Sequence, residues 1–277
     1  MVVHEGDLTL LLLGLSEVAS KTLFAKADMI IHNGADGFHL KTYQTLRSAK
    51  LESTKELVRF ALARKVPIHY VSTAGVAMFT PRESFGEVSV ASTMPPSDGL
   101  DGYTASKWAS ELYLEKANEQ FNLPAWIHRP SSITRSSSLL GEDAMEMELL
   151  QNLLKYSRIM KAVPSSDKLV GTLDLVSAEN VAKGIVGRAM GAEEVSATAP
   201  AAVVYVYQTG DLCLPISDMR TFLETETDAV FDTLGIGAWV ERAVALGLHP
   251  AVGAAFKRVE DTDDAMIFPT SVKDEEA

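Results

Sequence analysis

Tyr103 and Lys107 stand four residues apart, and Thr73 follows the apolar run Ile68-His69-Tyr70-Val71-Ser72. A Tyr and a Lys at that spacing share one face of a helix. An ammonium beside a phenol favours the phenolate, lowers the phenol's pKa and makes the Tyr a usable general acid or base. A hydroxyl at the end of a strand can hold a carbonyl oxygen next to that Tyr. The chemistry these three imply is proton transfer to or from a carbonyl oxygen. Each also has a structural reading: Thr73 as the cap of its strand, Tyr103 as a packed aromatic, Lys107 as a solvated helix lysine.

The elements that must position these groups alternate. Asp28-Met29-Ile30-Ile31-His32 reads as a buried parallel strand ending in the turn Asn33-Gly34-Ala35-Asp36. Helical spacing follows from Lys41 to Arg64, then a strand opened by Pro67 and running to Val71. A helix from Tyr103 to Phe121 leads to the strand Pro124–His128, closed by Arg129-Pro130-Ser131-Ser132. This alternation predicts βα crossovers and a parallel sheet. Leu8–Leu13 reads as a short strand before all of these. In the second half the pattern predicts a helix over 143–160, a strand over 169–175 and a helix over 178–190 capped by Ser177. A strand over 203–207, a helix capped by Ser217 and a last helix over 235–246 follow. Met145, Met147 and the leucines of the first of these helices suit either core packing or a pocket for an apolar chain.

The chain has 277 residues, net charge −12, 47% hydrophobic and 22% charged residues, a composition ordinary for a globular protein. The acidic balance argues against a nucleic-acid surface and against polybasic membrane binding. The run Leu8–Leu15 is too short to span a bilayer and lacks the basic flank of a signal peptide. With one cysteine, Cys213, no internal disulfide can form, and a cytoplasmic location is expected. Cys213 reads as a small buried residue. His32, His69 and His128 show no metal-ligand spacing and read as structural; no metal site is expected. The final stretch, 259–277, reads as a solvated acidic tail.

Taken together, Gly6-Asp7-Leu8-Thr9-Leu10, Gly14-Leu15-Ser16, His32-Asn33-Gly34-Ala35-Asp36, Ser72-Thr73-Ala74-Gly75-Val76-Ala77, Gly102-Tyr103-Thr104-Ala105-Ser106-Lys107-Trp108 and His128-Arg129-Pro130-Ser131-Ser132-Ile133 resemble the extended short-chain dehydrogenase/reductase family. Within it they look like the thioester reductase subfamily, the terminal release domain of polyketide and nonribosomal peptide synthetases, especially fungal hybrids. The resemblance implies a Rossmann-like α/β core over 1–134 carrying Thr73, Tyr103 and Lys107. It also implies a mixed core-completing and substrate lobe over 135–258. It implies NADPH-dependent reductive release of a carrier-bound acyl or peptidyl thioester, with a synthetase as partner. Tyr103 would protonate the carbonyl oxygen, Thr73 would hydrogen-bond it, and Lys107 would tune Tyr103 and bond the nicotinamide ribose. Asn33, Gly34 and Ala35 would pass near the adenosine side, Asp7 near the adenine, and Pro130, Ser131 and Ser132 would border the nicotinamide.

The chain departs from the family pattern at its start. It opens near what would be the third strand, so roughly 80 residues of the first βαβ unit, with its glycine-rich phosphate turn, are not found ahead of it. Gly6 and Gly14 do not open a helix after a strand. The expected fold is therefore an N-terminally truncated Rossmann-like parallel sheet with helices on both faces and a smaller C-terminal lobe. Its first long strand is left as an exposed edge open to self-association, and weak NADPH binding is expected of the chain alone. Two alternatives stand beside the reductase: a redox-free Dieckmann-type cyclase releasing a tetramic acid, and a non-catalytic remnant or docking partner of a synthetase.

Overall fold

Strands with near-continuous apolar sequence are buried on both faces, and such strands align in parallel when helices cover the sheet. The computed structural model of the protein describes residues 2–37, 41–80, 84–96, 101–135, 148–165, 167–191, 202–262 and 265–272. Helix α1 (Glu17–Lys26), capped by Ser16, precedes strand β1 (Ile30–His32). Helix α2 (Tyr43–Arg47), a single π-helical turn (Ser48–Glu52) and α3 (Ser53–Leu62) lead to β2 (Ile68–Val71). After the short β3 (Ser84–Phe85) come α4 (Gly102–Phe121) and β4 (Ala125–Pro130). The order continues with β5 (Ser132–Thr134), α5 (Leu149–Met160), β6 (Ala162–Ser165), β7 (Leu169–Ser177), α6 (Ala178–Ala189), β8 (Val204–Gln208) and β9 (Leu212–Pro215). It closes with α7 (Met219–Thr227), β10 (Asp232–Gly235), α8 (Ile236–Ala245), α9 (Pro250–Asp261), β11 (Met266–Phe268) and β12 (Thr270–Ser271).

The main sheet has the order β1-β2-β4-β8, every pair parallel. Ile30 faces Ile68, Ile68 faces Ala125, and Trp126 faces Val204. Ile68, Ile127, Leu114, Val58 and Ala61 form the core between this sheet and its helices. A second core, built on Leu153, Leu173, Leu223, Trp239 and Phe256, joins the C-terminal helices to β7. Strand β7 pairs in parallel with β5 and β11 and antiparallel with β9. Gly171 of β7 has φ +105, and a Cβ there would meet the backbone of Phe268, so β11 can approach only because this residue is glycine. The architecture is the expected one, an α/β Rossmann-like parallel sheet with helices and a smaller C-terminal lobe.

Several local expectations are corrected. Leu8–Leu13 is not a strand but a turn followed by a 3₁₀ turn over Leu11–Gly14. No strand lies beside it among the described residues, and its backbone bonds close otherwise: the amide of Asp7 donates to the Leu13 carbonyl at 2.8 Å, and that of Leu12 donates to Glu56 Oε1 on α3 at 3.0 Å. Leu12 and Leu13 take φ of 55° and 57°, a left-handed conformation costing roughly 1–2 kcal/mol per non-glycine residue. Ser217 does not cap a helix; it lies in a 3₁₀ turn (Ile216–Asp218) that runs straight into α7. Cys213 is exposed, because β9 alternates and turns Leu212 and Leu214 inward instead. The supposed acidic tail is folded as far as it is described: α9 reaches Asp261, β11 carries the buried Phe268, and β12 pairs with β3. Of the helix expected over 143–160, residues 149–160 are helical, while Met145 and Met147 lie outside the described residues. Strand β1 is an edge of the main sheet, with Ile31 exposed and Ile30 and His32 buried.

Candidate active site

The carboxyl ends of β1, β2 and β4 point at one side of the sheet, where open α/β folds bind ligands. A cavity of about 650 Å³ lies there. Its near wall carries Asn33, Ala35, Thr73, Tyr103, Lys107, Pro130, Ser131 and Ser132. The C-terminal lobe lines the rest with apolar Val252, Val259, Met266 and Phe268 and with the charged Asp174 and Arg258.

Helix α4 presents the tyrosine and lysine. Asp101 caps it by accepting the Thr104 amide at 3.0 Å. A Cβ at Gly102 would collide with the backbone of residues 41–43, so glycine lets the start of α4 seat against α2. One turn beyond Lys107, Glu111 accepts from Arg129 of β4 (Nη2 to Oε2 2.7 Å, Nε to Oε1 3.3 Å), with both side chains fully buried. This pair fastens α4 to the sheet. Lys107 Nζ donates to the Val71 carbonyl at 2.6 Å, tying the helix to the end of β2. Burial holds Lys107 down at about 8, against the pull of Glu111.

Thr73 begins the 3₁₀ turn Ala74–Phe79, and its Oγ1 accepts the Gly75 amide at 3.1 Å. Accepting with one of its two lone pairs leaves the Thr73 hydroxyl able to donate as well. Ser131 Oγ is buried and has no hydrogen-bond partner. Ser132 Oγ accepts from Gln151 Nε2 at 3.1 Å, linking β5 to α5. Two residues of the expected set lie apart from the cavity. Asp7 is exposed and turned onto Thr9, whose amide and hydroxyl donate to it at 2.8 and 2.7 Å; those bonds hold its carboxyl below the usual range. Gly34 packs against Leu8.

The electrostatics differ from the simple sequence argument. Burial, seconded by Asp101, pushes the Tyr103 phenol up to about 12. Lys107 shares the helix face but spends its ammonium on the Val71 carbonyl. The amine against the Tyr103 ring is instead that of Lys50, whose Nζ sits 3.3 Å from the ring centroid. Sequence reading passed over Lys50, Glu148 and the whole of α9 and β11. Glu148 lines the cavity, and burial raises its carboxyl. His69 and His128 pack as a buried chain, with His69 Nδ1 3.1 Å from His128 Nε2 and His128 Nδ1 2.9 Å from Gln208.

A family model described as male sterility protein, a NAD-binding family, matches residues 1–185. The chain belongs to this family. Its curated relatives include a polyketide synthase-nonribosomal peptide synthetase of Aspergillus clavatus, 47% identical over 261 residues, covering 94% of this chain and 6% of the relative. Another, of Aspergillus flavipes, is 47% identical over 244 residues, covering 87% of this chain and 6% of the relative. The chain thus spans 6% of the length of these relatives. Among solved structures, the terminal R domain from the myxalamid PKS-NRPS pathway superposes with TM-score 0.70 at 25% identity, covering 98% of this chain and 66% of that one. The reductase domain of a nonribosomal peptide synthetase from Mycobacterium tuberculosis shares the fold with TM-score 0.64 at 22% identity, covering 96% of this chain and 65% of that one. This member of the male sterility family is therefore a reductase-domain-like segment of the kind found in hybrid synthetases. No helix among its described residues is long and apolar enough to cross a membrane.

Proposed function

We propose that this site carries out NADPH-dependent reductive release of an acyl or peptidyl thioester bound to a carrier protein. The observation that carries the reading is the convergence of Thr73, Tyr103 and Lys107 on a cavity that also carries an apolar stretch, Val252, Val259, Met266 and Phe268. The apolar stretch suits an acyl chain, and the polar residues suit the carbonyl at its end.

The residues fit the nicotinamide end of the cofactor. The unpartnered Ser131 hydroxyl is a buried polar atom seeking a ligand, and Pro130 and Ser132 flank it at the cavity. Lys107 would reach the ribose, with Asn33 and Ala35 on the adenosine side. No glycine-rich turn joins a strand to a helix among the described residues. When bound, NADPH supplies hydride. The chain supplies the rest: Thr73 donates its hydroxyl proton to the carbonyl oxygen, and Tyr103 delivers a proton to that oxygen as negative charge grows there. Lys107, with one of its three donors on the Val71 carbonyl, keeps two for the ribose and for the phenolate left behind. The balance is thioester plus hydride plus proton giving aldehyde and free thiol.

Tyr103→Phe removes the proton donor without changing the ring. A carrier-bound acyl thioester with NADPH should show turnover reduced at least about 100-fold in this variant. Thr73→Val, which removes one hydrogen bond to the oxygen, should cost about 10²-fold in kcat. Undiminished turnover in the Tyr103→Phe variant would take Tyr103 out of the mechanism.

A further inference from the structure

Helix α9 brings one charge to the cavity. Its residues Ala251, Val252, Ala255, Arg258 and Val259 line that space. Their spacing, three and four apart, makes them a single helical face. Val252 and Val259 on that face are buried, whereas Arg258 is exposed. A residue that both lines a cavity and reaches solvent stands at its mouth. Arg258 is thus the charged member of an otherwise small and apolar face, placed where a ligand enters.

Its neighbours leave this guanidinium free. On the same helix, Lys257 Nζ lies 3.9 Å from Glu241 of α8, and the Glu260 carboxylate lies against Gly237 of α8. The carboxylates that line the cavity are spent on backbone amides. Asp101 accepts from Thr104 at 3.0 Å, Glu148 from Gln151 at 2.6 Å and Asp174 from Gly210 at 3.2 Å. Arg258 makes no ion pair and no side-chain hydrogen bond among the described residues. Lys107, the other cation of the cavity lining, is buried and bonded to the Val71 carbonyl. Among the described lining residues, Arg258 is therefore the cation open to an incoming negative charge.

We infer that Arg258 binds the phosphate at the carrier end of the substrate's phosphopantetheine arm, holding the arm at the cavity mouth while the thioester lies at Tyr103. The inference rests on a carrier-bound thioester as the substrate. Such an arm is uncharged along its amide chain and carries one permanent charge, a phosphodiester at the end opposite the sulfur. A thioester placed inside the cavity leaves that phosphate toward solvent, where Arg258 stands. A guanidinium meets phosphate oxygens with two parallel N–H donors, which a lysine ammonium cannot do. The phosphates of NADPH share this chemistry. The residues assigned to the cofactor, however, lie at the sheet end, whereas Arg258 belongs to the C-terminal lobe.

The test measures binding, not turnover. Two unreactive probes carry an alkyl thioether in place of the acyl thioester: S-alkyl phosphopantetheine as its methyl phosphodiester, and the same S-alkyl pantetheine without phosphate. Each is titrated into the protein by calorimetry at low salt, without NADPH. The parent should bind the phosphorylated probe about tenfold more tightly, a preference that shrinks as salt is raised. Arg258→Gln should bring the ratio near one by weakening the phosphorylated probe alone. Arg258→Lys, which keeps the charge without the fork, should retain part of it. Thermal melts establish that each variant is folded. An unchanged ratio in folded Arg258→Gln overturns the inference, as does a parent that binds both probes equally. Equal weakening of both probes also overturns it, since Arg258 would then act by packing. So does a loss of NADPH affinity in Arg258→Gln with the ratio intact, which would assign the arginine to a cofactor phosphate. Binding of neither probe would overturn the carrier-arm reading and this inference with it. A phosphate preference that depends on Arg258 in a protein that transfers no hydride would count against reduction alone and leave this result standing.

Discussion

Cutting the Glu111–Arg129 pair tests how α4 is held against the sheet. Both side chains are fully buried and joined by bonds of 2.7 and 3.3 Å. The guanidinium lies among the rings of Tyr205, Tyr207 and Phe85, at 4.5, 5.8 and 5.7 Å. Glu111→Leu leaves that cation buried with its carboxylate gone. Breaking such a pair from one side costs about 3–5 kcal/mol. At about 2–4 °C per kcal/mol for a domain of this size, the melting temperature should fall by roughly 6–20 °C. The double variant Glu111→Leu/Arg129→Met removes both charges and should recover to within about 1 kcal/mol of the parent or exceed it. The assay is urea unfolding followed by far-UV circular dichroism at pH 7.5. A single variant costing under about 1 kcal/mol, or a double variant no better than the single, would refute the reasoning. Because Glu111 also favours the charged form of Lys107, the single variant should lower the Lys107 pKa further.

Two more outcomes are expected. Burial holds His32 and His69 at about 4 and His128 at about 3, with nearby Lys107 or Arg188 adding to the effect. These folded values lie below the unfolded one, so the unfolded chain takes up the protons first as pH falls; the stability they contribute is present above about pH 6.5 and lost below it. Between pH 7.5 and 5 each should cost about 2 kcal/mol, and urea midpoints that do not move over that range would contradict the burial argument. Gly102→Ala should destabilise by about 1–3 kcal/mol, since its Cβ meets the backbone of residues 41–43, which cannot swing aside. It should also displace Tyr103; full activity with an unchanged melting temperature would show that α4 can be reseated.

The parallel sheet was legible because its strands are continuous apolar runs bounded by turns, as in Met29–His32 and Pro124–His128. The Tyr103, Lys107 and Thr73 cluster was legible from spacing and from the resemblance of its surroundings. Leu8–Leu13 misled because an apolar run alone does not say whether a neighbouring strand exists to complete its bonds. Cys213 misled because residue type outweighed the alternation of Leu212 and Leu214. Helix α9 and strand β11 went unseen because they sit beside a dense run of acids that reads as tail, although His249-Pro250 marks a helix start, with Pro in the first turn. Lys50 was hidden for a different reason. A lysine in a helical segment is expected to face solvent, and only the π-helical turn, invisible in the sequence pattern, aims it at the Tyr103 ring.

The most direct test of the account follows the hydride. The protein is incubated with a carrier-bound acyl thioester and NADPH deuterated at the transferring position, and the released product is analysed by mass spectrometry. The account predicts an aldehyde or alcohol carrying deuterium on the former thioester carbon, lost in the Tyr103→Phe variant. Release of an unlabelled ring with no NADPH consumed would contradict it and identify a redox-free cyclisation at the same site.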